Sequence, residues 1–74
     1  NITKTLDAKG LACPMPIVKT KKAMDMIQSG EILEVMATDK GALSDITAWV
    51  KSGGHTLLDQ KTEDGVLYFY IQKA

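Results

Sequence analysis

Glycine punctuation constrains this chain more than any other feature. Gly10, Gly30, Gly41, the Gly53–Gly54 pair and Gly65 divide its 74 residues into six short segments, each bounded by a residue that tolerates turn geometry. The period of the apolar residues then assigns a type to each segment. Thr3 to Ala8 reads as a strand with Leu6 turned inward. From Pro16 to Gln28, the residues Ile17, Thr20, Ala23, Met24 and Ile27 recur at helical spacing, Lys19, Lys22 and Asp25 fall toward solvent, and Gly30 is placed to stop the helix. Glu31 to Ala37 alternates, with Leu33, Val35 and Ala37 on one face and Ile32, Glu34 and Met36 on the other.

A second helix is expected from Ala42 to Lys51. Leu43, Ile46, Thr47 and Val50 form its apolar stripe, Trp49 flanks it, and Asp39 stands ready as a cap or turn residue. His55 to Lys61 and Val66 to Gln72 read as a closing hairpin around Thr62-Glu63-Asp64-Gly65, where Asp-Gly is a strong turn signal. Leu67, Phe69 and Ile71 share one face of the last strand; Val66, Tyr68 and Tyr70 share the other. The order β-α-β-α-β-β is that of an α+β protein, a two-layer sandwich with two helices on one face of a mixed four-stranded sheet. Right-handed crossovers put both helices on one side only if the chain steps along the sheet consistently. The other sheet face stays partly open, with Ile32, Met36, Tyr68 and Tyr70 on it.

Composition excludes several functions. Nine lysines, with no arginine, balance nine acids, so the net charge is 0. A nucleic-acid binder of this size is normally basic and reads phosphates and bases with Arg. The longest apolar run, Val66 to Ile71, is far short of the ~20 residues that span a bilayer. One cysteine builds no disulfide framework, so a reducing, cytoplasmic setting is the default. No basic and apolar leader precedes Leu6, and the first residue is Asn rather than Met. Residues 1–74 therefore read as one domain, processed or cut from a longer polypeptide.

The chemistry concentrates in Gly10-Leu11-Ala12-Cys13-Pro14-Met15-Pro16. A strand ends, Gly10 permits a turn, and the cysteine arrives where the first helix begins. Two prolines spaced by one residue stiffen the connection. Pro suits a first helical turn, but Met15 precedes Pro16 and is disfavoured in α geometry, so the helix starts either at Pro14 with strain or at Pro16 without it. Cys13 then lies within about one turn of a helix's positive end, which favours a thiolate or persulfide anion. No acid stands between Lys9 and Lys22. Cys13 is therefore expected to be more acidic than a free cysteine. The plain alternative, a small buried hydrophobe, sits poorly with a proline-flanked loop at the surface. Two residues on, where a thioredoxin-like motif has its resolving thiol, stands Met15. Cys13 can accept a group, hold it and pass it on.

These residues resemble the TusA (SirA-like) sulfur-carrier family. The resemblance rests on Cys13-Pro14-Met15-Pro16 opening a helix, preceded by Leu6-Asp7 and Gly10-Leu11. Gly30-Glu31, Thr38-Asp39, Asp45-Ile46 with Trp49, and Gly54-His55 follow in order, so it covers about residues 5 to 72. It implies a fold similar to the C-terminal domain of translation initiation factor 3, and a catalytic Cys13 supported by Gly10, Pro14 and Pro16. Cys13 would take a persulfide sulfur from a donor such as a cysteine desulfurase or rhodanese and relay it to an acceptor protein. That is a sulfurtransferase in the sense of a relay carrier, with no cofactor beyond the transient persulfide. Family members serve tRNA thiolation, molybdenum-cofactor synthesis or sulfur oxidation. Ala12 stands where a tRNA-thiolation member carries Arg, which argues against that route here. Similar domains also occur fused behind rhodanese and coenzyme A disulfide reductase modules.

Lys9, Lys19, Lys21 and Lys22 form a candidate basic collar, with Lys19, Lys22 and Met26 the best candidates for a partner-docking face. Their plain alternative is a solvated face in which Lys21 and Lys22 pair with Asp25. A lone His55 with one cysteine makes no metal site; it reads as structural. Asp39 is explained by turn chemistry, and Asp45 either caps or pairs. The domain is expected to be monomeric, without nucleic-acid or membrane partners. The rivals to the carrier reading are a non-catalytic interaction or regulatory module and, on fold alone, an RNA-binding module.

Overall fold

A computed structural model describes residues 2–74; Asn1 lies outside the described residues. The elements are β1 (Lys4–Ala8), α1 (Met15–Asp25), β2 (Ile32–Ala37), α2 (Ala42–Ser52), β3 (Thr56–Glu63) and β4 (Val66–Gln72). The sheet order is β1-β2-β4-β3. β1 runs parallel to β2, and β4 is antiparallel to both β2 and β3. The loop after β1, the loop after β2 and the β3–β4 turn therefore gather at one end of the sheet.

Burial follows the alternation read from the sequence. Leu33, Val35 and Ala37 of β2 face Phe69 and Ile71 of β4, all fully buried. Ala23, Met24 and Ile27 from α1 and its end, with Ala42, Ile46 and Val50 of α2, close over that same face. Both helices thus cover one side, because the steps from β1 to β2 and from β2 to β3 run in the same direction along the sheet. On the other side Ile32, Glu34, Met36, Tyr68 and Tyr70 are half-buried. Glu34 organises this face: it accepts hydrogen bonds from Tyr70 Oη (2.8 Å) and Thr5 Oγ1 (3.1 Å). The Lys61 ammonium lies 5.3 Å from the Tyr68 ring centre and 5.9 Å from that of Tyr70, a cation–π arrangement.

The elements differ from their sequence expectations in instructive places. α1 ends at Asp25 rather than Gln28, because Met26 N–H bonds to Ala23 O (3.0 Å) and Ile27 N–H to Met24 O (3.4 Å), tightening the last turn. Ile27 is still buried. In α2 the stripe is Ala42, Ile46 and Val50; Leu43, assigned to it from spacing, is 42% exposed. Asp39 does not cap α2 with its side chain: Gly41 is the N-cap, and Ala42 N–H bonds to the Asp39 backbone carbonyl (3.0 Å). β3 begins at Thr56 and runs on to Glu63, because the hairpin turn needs only Asp64 (φ 51°) and Gly65 (φ 79°). Two successive positive φ values match the right-handed twist of the strands they join. A register shift between Leu57 and Asp59 interrupts β3 and leaves Leu58 exposed.

Candidate functional site

Backbone contacts fix the loop between β1 and α1 before any side chain is considered. Gly10 (φ 81°) turns the chain and donates its N–H to Thr38 Oγ1 (2.8 Å), tying this loop to the end of β2. Leu11 N–H reaches Ala8 O (3.3 Å) and Lys9 N–H reaches Asp7 Oδ1 (3.0 Å). Ala12 to Met15 then form a turn closed by Met15 N–H to Ala12 O (2.9 Å), with the Cys13–Pro14 peptide cis. Pro14 is the N-cap, so α1 starts between the two positions the prolines allowed: Met15 is helical despite preceding Pro16. Pro16 is buried, and Thr20 Oγ1 bonds to its carbonyl (2.8 Å) one turn below.

Cys13 projects from this turn as an exposed, free thiol. Its surroundings overturn the expectation of an acidic cysteine. Sγ donates to Asp45 Oδ2 at 3.4 Å, and Asp45 sits in the first turn of α2. The Cys13 thiol is raised above its ordinary range, first by that hydrogen bond, then by slight desolvation, then by the charges of Asp45 and Asp39. A hydrogen bond donated by the thiol favours its protonated form, and a nearby negative charge disfavours the anion. The helix end is also a weaker anion site than the sequence suggests. Pro16 lacks an N–H and Met15 N–H is already spent on Ala12, which leaves Ile17 as the one free amide among the first three helical residues. Asp45 stands 32 residues from Cys13, so local sequence does not mark it as a neighbour; the signal the sequence carries is that both helices start at the same end of the sheet.

The remaining candidates separate clearly. Lys19, Lys21 and Lys22 are exposed, and none forms an ion pair among the described residues; the alternative pairing with Asp25 is absent. Lys9 lies 4.0 Å from Asp7 rather than serving the thiol. Lys19, Lys22 and Met26 lie along one exposed side of α1 and its C-cap, with Met26 74% exposed. Met15, beside Cys13, is also exposed and belongs to the same rim. His55 is remote from Cys13, beyond the far end of α2. It packs against Trp49 with ring centres 5.2 Å apart and the rings tilted by 42°, and it accepts the Ala74 N–H at Nδ1 (3.0 Å). Among the described residues, no group of three or more His, Cys, Asp or Glu side chains could hold a metal ion. Nor, among the described residues, is any helix long and apolar enough to cross a membrane.

A small α+β domain that presents one exposed thiol where its first helix begins defines a narrow class of protein. The family model described as Sulfurtransferase TusA matches residues 4–73. The sulfur carrier protein TusA of Allochromatium vinosum is 44% identical over 69 residues, covering 93% of this chain and 91% of that one. The candidate sulfur carrier protein YrkI of Bacillus subtilis is 70% identical over 71 residues, 96% of this chain and 95% of its own. YrkF of the same organism is 55% identical over 72 residues, but those make up only 39% of its length. The crystal structure of a SirA-like protein from Desulfitobacterium hafniense superposes with a TM-score of 0.84 at 22% identity, covering 95% of this chain and 96% of that one. The chain belongs to the TusA family of sulfur carriers.

Proposed function

We propose that Cys13 is the carrying residue: it accepts a sulfane sulfur from a donor protein, holds it as a persulfide and passes it to an acceptor protein. The observation that carries this reading is an exposed, unpaired thiol on a stiff proline-bounded turn. In the loading step the Cys13 sulfur attacks the terminal sulfur of the donor persulfide. A new S–S bond forms at Sγ, the donor's S–S bond breaks, and the Cys13 proton ends on the donor's released thiol. Oxidation states balance without another reagent, since one persulfide is exchanged for another. Unloading is the same exchange with the acceptor thiol in the attacking role. With no second cysteine in the chain, nothing within the domain can discharge the persulfide as a disulfide, so the group waits for a partner.

A cysteine desulfurase or a rhodanese supplies a persulfide of the required kind. Docking would cover the Cys13 turn and the exposed side of α1, where Lys19 and Lys22 give a local positive field that the net-neutral domain lacks. The match to 39% of YrkF favours a second arrangement, in which residues 1–74 form one domain of a longer chain and exchange sulfur with a neighbouring domain. Incubation with a desulfurase and cysteine, followed by intact mass measurement, tests the proposal. The parent should gain the mass of one sulfur atom, and Cys13→Ser should gain none. Equal gains in both would place the sulfur elsewhere.

A further inference from the structure

We propose that Asp45 is a positioning residue that holds Cys13 as a hydrogen-bonded thiol and so withholds it from small sulfur donors until a partner protein docks; this rests on reading Cys13 as the carrying residue. The Cys13–Asp45 bond joins the starts of the two helices, α1 through the Cys13 turn and α2 through its first turn. Asp45 is itself half-buried, and its neighbour Ile46 is fully buried in the core, so the carboxylate is held on a seated helix rather than on a mobile loop. Asp39 adds a second charge. A Cβ placed on Gly41 would lie 3.2 Å from Asp39 Oδ2 and 4.0 Å from Asp45 Oδ2, so the two carboxylates flank one point of backbone beside the thiol. Asp39 and Asp45 are the charged groups that act on Cys13, and both disfavour its thiolate.

The consequence is chemical. Thiolate is the attacking species, and here an exposed cysteine is kept in its less reactive form by its own domain. After loading, Sγ carries sulfur in place of a proton and can no longer donate to Asp45. The terminal sulfur lies one bond further out, and as an anion it is pushed away from both carboxylates toward the solvent side, where an acceptor thiol must arrive. A donor that sets a cationic group against Asp45 relieves the restraint during docking. The device would favour sulfur relay between proteins over reaction with free thiols, polysulfides or oxidants.

The test uses Asp45→Asn, which keeps the shape but removes the charge, with Asp45→Glu and Asp39→Asn as companions and circular dichroism to confirm the fold. The iodoacetamide rate against pH should inflect at lower pH in Asp45→Asn than in the parent, with a smaller fall in Asp39→Asn and a parent-like profile in Asp45→Glu. Each unit of fall raises the thiolate fraction about tenfold at fixed lower pH, offset about threefold by the weaker nucleophile, so alkylation speeds by roughly threefold per unit. Loading from inorganic polysulfide, read as the mass of one added sulfur, should accelerate in the same variant. An unchanged or higher inflection in Asp45→Asn overturns the role given to Asp45; a lower inflection without faster polysulfide loading overturns the withholding. If no protein, the parent included, gains sulfur from any donor, the carrier reading of Cys13 fails, while the alkylation profile still decides whether Asp45 controls the thiol.

Discussion

Replacing Pro16 with alanine separates the two jobs that a proline can do at a helix start. From sequence, Pro16 is a geometric device, and Pro16→Ala should fold nearly as well as the parent. The structure changes that expectation, because Pro16 is buried beneath the Cys13 turn and its carbonyl anchors Thr20. Alanine removes two ring carbons from the interior, at about 0.8 kcal/mol for each buried methylene. The unfolded chain also regains freedom equivalent to about 0.4–1 kcal/mol. Relief of the clash that Pro16 imposes on helical Met15 offsets part of this. The net loss is about 2 kcal/mol, a large share of the roughly 4–11 kcal/mol expected for a domain of this length. Urea unfolding followed by circular dichroism checks it. With a slope of about 1–2 kcal/mol per molar, the midpoint should fall by roughly 1–2 M. An unchanged midpoint would show that the ring contributes nothing by burial, and the packing argument for this loop would be wrong. Sulfur transfer should also slow under conditions where the variant is fully folded, since a looser turn spends less time in an attacking pose.

Lys19→Glu with Lys22→Glu should slow loading from a donor protein at low salt, with the parent's rate falling as salt rises and the variant's changing less. Melting should barely move, because both lysines are exposed and unpaired among the described residues; equal loading rates at low salt would move docking to another surface. On the open sheet face, the Tyr70 phenol is raised above its ordinary value of 10.0 by its hydrogen bond to Glu34, then by burial and by the Glu34 charge. A raised folded-state value means that the contact's contribution is full below pH ~10 and is lost as pH rises through the shifted value. Tyr70→Phe should cost about 0.5–1.5 kcal/mol at neutral pH and remove a phenol step that lies above the ordinary value in an alkaline ultraviolet titration, and retention of that step would refute the assignment.

The legible parts of this fold were those governed by local periodicity. Leu33-Val35-Ala37 and Leu67-Phe69-Ile71 announced two strands with one buried face each, and the structure pairs them at the centre of the sheet, Val35 opposite Phe69. The Cys13 turn was legible because glycine widens and proline restricts backbone geometry wherever they occur. Leu43 misled because a stripe at i, i+3, i+4 and i+7 is also satisfied by a helix rotated slightly about its axis, and Ala42 rather than Leu43 faces the core. The reactivity of Cys13 is hidden from the sequence for a different reason. Its neighbours in sequence are apolar or basic, but its closest charge is Asp45, brought in by the packing of α2 beside α1. Helix type and order follow from short windows; the electrostatics of a site between two helix ends depend on tertiary contact, which no window contains.

The most direct test of the central claim is tandem mass spectrometry on the proteolytic peptide that contains Cys13, after one round of loading by a desulfurase and again after addition of an acceptor thiol protein. One added sulfur should map to Cys13 in nearly all loaded molecules and disappear as the acceptor gains it. An adduct mapped to any other residue, or a Cys13 peptide that stays unmodified while the acceptor is sulfurated at full rate, would contradict the account.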